Sequence, residues 1–227
     1  MHPARNRFDW SSLADDNTIP VLLIRHGQTS WNKQKRFLGR TDIPLDAEGR
    51  LQASLVGRSL AHVPLAGLYS SPLSRAWETA EAISAACNIP IQSVDALTEL
   101  NQGVLEGHHG AVLQEEYREF FDAWRDDPTH VRVPGGETLA ECHQRASKAI
   151  HAILATHTPG PPVALVSHRM TIGGLICEAM ERPLRDNLKI EQRNTAVNFL
   201  GYRSGKLSLH RLNDATHLDE ADATAPL

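Results

Sequence analysis

Leu22-Leu23-Ile24-Arg25-His26-Gly27-Gln28-Thr29 carries an apolar run directly into an Arg-His-Gly turn. Val21 to Ile24 follows Pro20, is short, and consists of Leu and β-branched residues, the pattern of a strand buried on both faces of a parallel sheet. Ligand chemistry in open α/β sheets collects beyond the carboxyl ends of such strands, where Arg25, His26 and Gly27 fall. Gly27 permits a close turn and lets a ligand approach the backbone. Arg25 offers a permanently charged planar fork suited to phosphate oxygens, and an imidazole such as His26 can attack phosphorus without a metal.

Outward from this turn the chain alternates strand and helix. Asp46 opens an expected helix through about Ala61, with Leu51, Leu55 and Leu60 on one stripe. Leu65 to Ser70 reads as a strand, Ser74 to Cys87 as a helix capped by its serine, and Ile91 to Val94 as a short strand. Glu115 to Arg125 and Leu139 to Thr156 are amphipathic helices, separated by Pro128, Pro134 and a Gly pair. Pro162 to Val166 reads as a second buried strand, followed by a helix from about Met170. Leu200 to Tyr202 and Leu207 to Leu209 form a terminal hairpin around Ser204-Gly205. This alternation predicts an α/β fold, a three-layer α/β/α sandwich with a mostly parallel sheet. The length suits one domain, expected over residues 20–212, with poorly ordered tails over 1–19 and 213–227.

His168 follows the strand ending at Val166 and precedes a helix, mirroring His26, so both imidazoles fall at the same edge of the sheet. That symmetry separates these two from the other histidines among the chain's twelve. His108-His109 reads as loop, because adjacent residues do not face one another and no carboxylate spacing supports a metal pair. Local sequence leaves Arg75 between a solvated arginine and an anion ligand at a helix start. It likewise leaves Glu99 between a loop carboxylate and a general acid, and Asn32 between a turn residue and part of a phosphate cradle.

Read in order, Leu23-Ile-Arg-His-Gly-Gln-Thr-Ser-Trp-Asn32, Arg36-Phe-Leu-Gly-Arg-Thr-Asp-Ile-Pro-Leu45 and Tyr69-Ser-Ser-Pro-Leu-Ser-Arg75-Ala resemble the opening blocks of the histidine phosphatase superfamily, the phosphoglycerate mutase-like family. Leu97-Thr-Glu99 with Glu106-Gly107, Pro134-Gly-Gly-Glu137 and Val166-Ser-His168 continue the likeness. The resemblance implies a phosphoglycerate mutase-like fold and two-step phosphoryl transfer: His26 as nucleophile, Arg25, Arg75 and a protonated His168 on the phosphoryl group, and Glu99 as general acid with a raised pKa. Gly27 and Asn32 would complete the substrate cradle. Mutases of the family carry a small hydroxyl residue where Leu38 stands and an Arg-His-Tyr-type segment where this chain has Leu100-Asn101-Gln102, and their later Arg-Arg pair has no counterpart here. Hydrolysis of a small phosphorylated metabolite, a sugar phosphate or phosphoglycerate-like acid, is therefore expected. A phosphoglycerate-type mutase or a non-catalytic phospho-ligand-binding member remains the alternative. The family usually has Gly after the second histidine; Arg169 stands there, open to either a second anionic group of the substrate or solvent.

A net charge of −4 and a pI near 6.3 provide no general basic field for nucleic acid, and no Lys/Arg run suggests a membrane surface. Cys87, Cys142 and Cys177 lack the spacing of a disulfide framework or zinc knuckle. No run approaches a membrane span, and charged residues interrupt the N-terminal stretch where a signal core would lie. The expectation is a cytoplasmic, metal-independent enzyme without cofactor, its partner a small phosphorylated metabolite, with homodimerisation left open. The aromatic stripe Tyr117, Phe120, Phe121 and Trp124 reads as core packing or a lid contact.

Overall fold

The computed structural model describes residues 17–223, with side chains through 219. Strands β1 (Ile19–Arg25), β2 (Gly67–Ser70), β3 (Ile91–Ser93), β4 (Val163–Ser167), β5 (Val197–Arg203) and β6 (Lys206–Asp214) form one sheet in the order β3-β2-β4-β1-β5-β6. The first four run parallel; β5 is antiparallel to β1, and β6 to β5. The helices are α1 (Ser30–Lys33), α2 (Ala47–Leu60), α3 (Ser74–Cys87), α4 (Gly110–Leu113), α5 (Arg118–Asp126), α6 (Leu139–Leu154), α7 (Arg169–Ala179) and α8 (Thr216–Ala223).

Continuous apolar character in β1 follows from burial on both faces. Val21 and Leu23 pack with Ile150 and Leu154 of α6 and with Ile172, Leu175 and Ile176 of α7. Leu22 and Ile24 point the other way, against Val56 and Leu60 of α2 and Ala76, Ala80 and Ile83 of α3. The sheet is thus covered by α6 and α7 on one face and by α2 and α3 on the other, the expected three-layer sandwich. A third cluster sits beyond the carboxyl ends of the parallel strands, where Leu100, Leu105, Leu113, Val133, Leu139 and Met170 pack together. Phe37, Phe120, Phe121 and Trp124 lie against it, half-buried.

Several expectations need correction. Ser74 is not the cap of α3: Leu73 occupies that position without a side-chain cap, and Asp42 accepts from both the Ser74 amide and its hydroxyl, each at 2.7 Å. A loop distant in sequence therefore closes this helix end. The chain beyond Asn213 is not all tail, because Asp214 ends β6 and α8 packs against α2. At the other end Ile19 already pairs with Tyr202 of β5. The rest of the expected tails, residues 1–16 and 224–227, lies outside the described residues. The helix expected from Glu115 starts at Arg118, after the separate short turn of α4. Among the described residues no helix is long and apolar enough to cross a membrane.

Candidate active site

Sheet register brings the two histidines together. Arg25 of β1 pairs with Ser167 of β4, so His26 and His168 each stand one residue beyond neighbouring parallel strands. The His26 amide continues the ladder by donating to the Ser167 carbonyl at 3.0 Å, and the ring centroids are 5.1 Å apart. From here β1 leads to α2 on one face while β4 leads to α7 on the other. The chain paths diverge at this point and open the crevice in which doubly wound sheets bind ligands.

His26 is 2 % exposed, and its Nδ1 lies 2.7 Å from the Gly27 carbonyl oxygen. A carbonyl only accepts, so Nδ1 carries the proton. Burial holds the ring well below the ordinary imidazole pKa, reinforced by Arg75 and Arg25. His26 is therefore neutral, with the Nε2 lone pair unprotonated. Gly27 differs from its expected role. Its N–H donates to Thr79 Oγ1 at 3.0 Å and is not free for substrate. A Cβ there would lie 2.5 Å from the Gly49 carbonyl oxygen, so glycine is required by the close approach of the turn to α2, not by a ligand.

Arg25 donates through Nη1 to the Gln192 carbonyl at 2.5 Å. Arg75, at 0 % exposure, donates to the carbonyls of Gly39 (2.7 Å) and Thr41 (3.1 Å). Burial lowers both guanidinium pKa values to about 10, with Glu99 the leading opposing influence on each, so both stay charged near neutrality. His168 Nε2 is 2.8 Å from Ser71 Oγ. Burial, then Arg75, His26, Arg145 and Arg25, push His168 well below the usual imidazole value. Burial and neighbouring cations thus keep this ring neutral in the ligand-free site, while the protonated His168 expected from the sequence is a state with the phosphoryl dianion bound. Arg25 Nε, Arg75 Nε and His168 Nδ1 are buried without hydrogen-bond partners. Orphaned buried polar atoms carry a desolvation cost, which an anion would relieve for the two guanidinium N–H groups.

Glu99 is 4 % exposed. Its Oε1 accepts from the amides of Leu100 (2.8 Å) and Thr171 (3.2 Å) and from the Thr171 hydroxyl (3.3 Å); Oε2 accepts from the Met170 amide at 3.1 Å. The carboxylate therefore caps the first turn of α7, which has no side-chain cap from His168. Oε2, with one bond, is the oxygen with room for a proton. Arg145 holds the segment behind it by donating to the carbonyls of Ala96 (2.7 Å), Thr98 (2.8 Å) and Glu99 (2.9 Å), while Glu137 grips Arg145 Nε at 2.9 Å.

A cavity of roughly 340 Å³ is lined by Arg25, His26 and Glu99 and also by Asn32, Arg36, Gln102 and Arg169 among apolar side chains; Arg75 and His168, both fully buried, lie behind its lining. Asn32 serves both readings: it completes the capping box of α1 and lines the cavity. Arg169 faces the cavity, tethered through Nη2 to the Leu188 carbonyl at 3.2 Å. The sequence reading did not assign Thr79, Ser71 or Arg145. Thr79, one helical turn beyond Arg75, carried a signal; Arg145, within an ordinary amphipathic helix, carried none. No group of three or more His, Cys, Asp or Glu among the described residues is placed to hold a metal ion.

The family model described as "Histidine phosphatase superfamily (branch 1)" matches residues 21–215. The protein named "Probable phosphoglycerate mutase GpmB" from Salmonella choleraesuis (strain SC-B67) is 31% identical over 210 residues, covering 88% of this chain and 95% of that protein. The structure of Bacillus stearothermophilus YhfR superposes with a TM-score of 0.82 at 29% identity, covering 88% of this chain and 99% of that one. A mycobacterial glucosyl-3-phosphoglycerate phosphatase solved with VO3 gives a TM-score of 0.78 at 25% identity, over 86% of this chain and 99% of that one. With its paired imidazoles, buried arginines and matched sheet, the chain belongs to the histidine phosphatase superfamily.

Proposed function

We propose that this protein is a metal-independent phosphomonoesterase that works through a phosphohistidine on His26. The observation that carries the reading is the state of His26: neutral, with Nδ1–H fixed on the Gly27 carbonyl, beside two charged arginines. Arg25, Arg75 and His168 receive the phosphoryl oxygens, and the arriving dianion makes a protonated His168 favourable. The His26 Nε2 lone pair attacks phosphorus in line; the P–O ester bond breaks, and the departing alkoxide takes the proton from Glu99 Oε2. Water then gives a proton to the Glu99 carboxylate as its oxygen bonds to phosphorus, the P–Nε2 bond breaks, and phosphate leaves. Two guanidinium groups supply the positive charge that a metal would otherwise provide. Asn32 and Arg169 contact the substrate further out.

Mutase chemistry is the second reading, favoured by the name of the Salmonella relative. Leu38 and Gln102 line the cavity, and an alkyl side chain at position 38 provides no hydroxyl to hold an intermediate for retransfer. The deciding assay follows phosphate release from a phosphomonoester panel with chelator present, alongside isomer exchange of phosphoglycerates. Chelator-resistant release that disappears in His26→Ala, with an acid-labile phosphoprotein trapped in the wild type, is expected. Exchange without release would replace phosphatase by mutase, and neither activity would leave a phospho-ligand-binding protein.

A further inference from the structure

We infer that the alcohol part of the substrate is a flat apolar group, aromatic or similarly hydrophobic. This rests on the phosphomonoesterase reading and departs from the sugar phosphate or phosphoglycerate-like acid that the sequence suggests. Beside Arg25 and His26 the cavity lining includes Phe37, Leu38, Phe120, Phe121, Trp124 and Leu188. Three of these come from α5, whose aromatic side chains rest on the third cluster yet stay only half-buried, so part of each ring surface remains open to the cavity. Its rings are arranged against one another: Phe120 and Phe121 meet edge-on at 5.1 Å, Phe120 and Trp124 are tilted at 5.3 Å, and Phe37 is tilted against Phe121 at 6.1 Å. Rings held this way present a preformed apolar surface in the same cavity as Arg25 and His26, the arrangement that retains an aromatic group by area burial and offset stacking.

Besides Arg25, His26 and Glu99, the polar groups in the same cavity are Asn32, Arg36, Gln102 and Arg169. Arg36 and Arg169 each place one N–H on a carbonyl, that of Gly107 at 3.1 Å and that of Leu188 at 3.2 Å, and keep further donors of the guanidinium fork for a ligand. Any hydroxyl of a polyhydroxylated leaving group set against the ring faces would find no partner there and lose its water uncompensated. An apolar leaving group loses nothing there. The slot therefore selects on the alcohol, while the arginines and histidines select on the phosphoryl group.

The test compares three substrates whose leaving alcohols have similar basicity, so that chemistry does not mask binding: 2-phenylethyl phosphate, ethyl phosphate and glycerol 3-phosphate. The phenylethyl ester is expected to show a KM at least tenfold below both others, and that ratio should shrink at least fivefold in Trp124→Ala and in Phe120→Ala. Equal KM values, or a lower KM for glycerol 3-phosphate, overturn the inference. If none of the three is turned over, the phosphomonoesterase reading fails by itself. Calorimetric binding of 2-phenylethylphosphonate against ethylphosphonate to the wild-type protein then decides the slot: a tenfold preference supports it and parity overturns it.

Discussion

Lowering the pH from 7.5 to 5.5 should destabilise the ligand-free protein by roughly 2.5–3 kcal/mol through His26 and His168 alone. Both rings are held well below the ordinary imidazole value by burial and by neighbouring arginines. In the unfolded chain each binds a proton below about pH 6.5, whereas in the folded chain neither does. For a histidine depressed in this way, the stabilisation is fully present above the unfolded pKa and is lost as the pH falls toward the folded one. One unit below the unfolded value each group has cost about 1.4 kcal/mol, and the two together give the stated figure. The window avoids the carboxylates Glu137, Asp186 and Asp214: their hydrogen bonds and ion pairs place their folded pKa values below the ordinary carboxylate range, so their contributions fade at lower pH. His143 and His217 are also depressed by burial, so the comparison must be a difference. Urea unfolding at pH 7.5, 6.5 and 5.5 for the wild type and a His26→Gln/His168→Asn double variant isolates the pair. The wild type should lose about 2.5–3 kcal/mol more than the variant over this range. Parallel loss in the two proteins would refute the neutral, buried pair and the nucleophile derived from it.

Gly27→Ala should cost roughly 1–3 kcal/mol of stability, because the new methyl meets the Gly49 backbone oxygen, which has no flexible end to move aside. Its kcat should fall as well, since the Gly27 carbonyl fixes the His26 tautomer; an unchanged melting temperature and kcat would contradict that geometry. Arg145→Gln releases the carbonyls of Ala96, Thr98 and Glu99 without touching the cavity. Its kcat should drop roughly ten- to a hundredfold, part of what a general acid contributes. KM should change little and the pH profile should shift; a KM effect alone would show that Arg145 does not position Glu99. Arg169→Gly should raise KM selectively for esters that carry a second anionic group, and uniform KM values across singly and doubly charged substrates would remove Arg169 from substrate binding.

Much of the molecule is legible in the chain because the controlling physics is local. A strand buried on both faces must be apolar throughout, so Val21 to Ile24 announced both a central position and helices on each side. The placement of His26 and His168 directly after two such strands made their meeting readable, since strands in a parallel sheet end at the same edge. Thr138 and Asp46 cap their helices through the amides of Glu141 and Gly49, contacts three residues apart. The α3 start was misread because its cap comes from Asp42, across a loop.

By itself the sequence determined the layers, the edge at which chemistry occurs and the residue types that meet there. Only the tertiary structure decided their states. His168 is neutral because burial and cations drawn from several segments surround it; Gly27 is needed because α2 passes against it; and Glu99 is fixed by the first turn of α7 and by Arg145. The apolar slot belongs to the same class, since Phe37, Phe120, Trp124 and Leu188 become one wall only after distant segments fold over the sheet edge. Charge state and cavity shape depend on desolvation and contact between such segments, which no local pattern encodes.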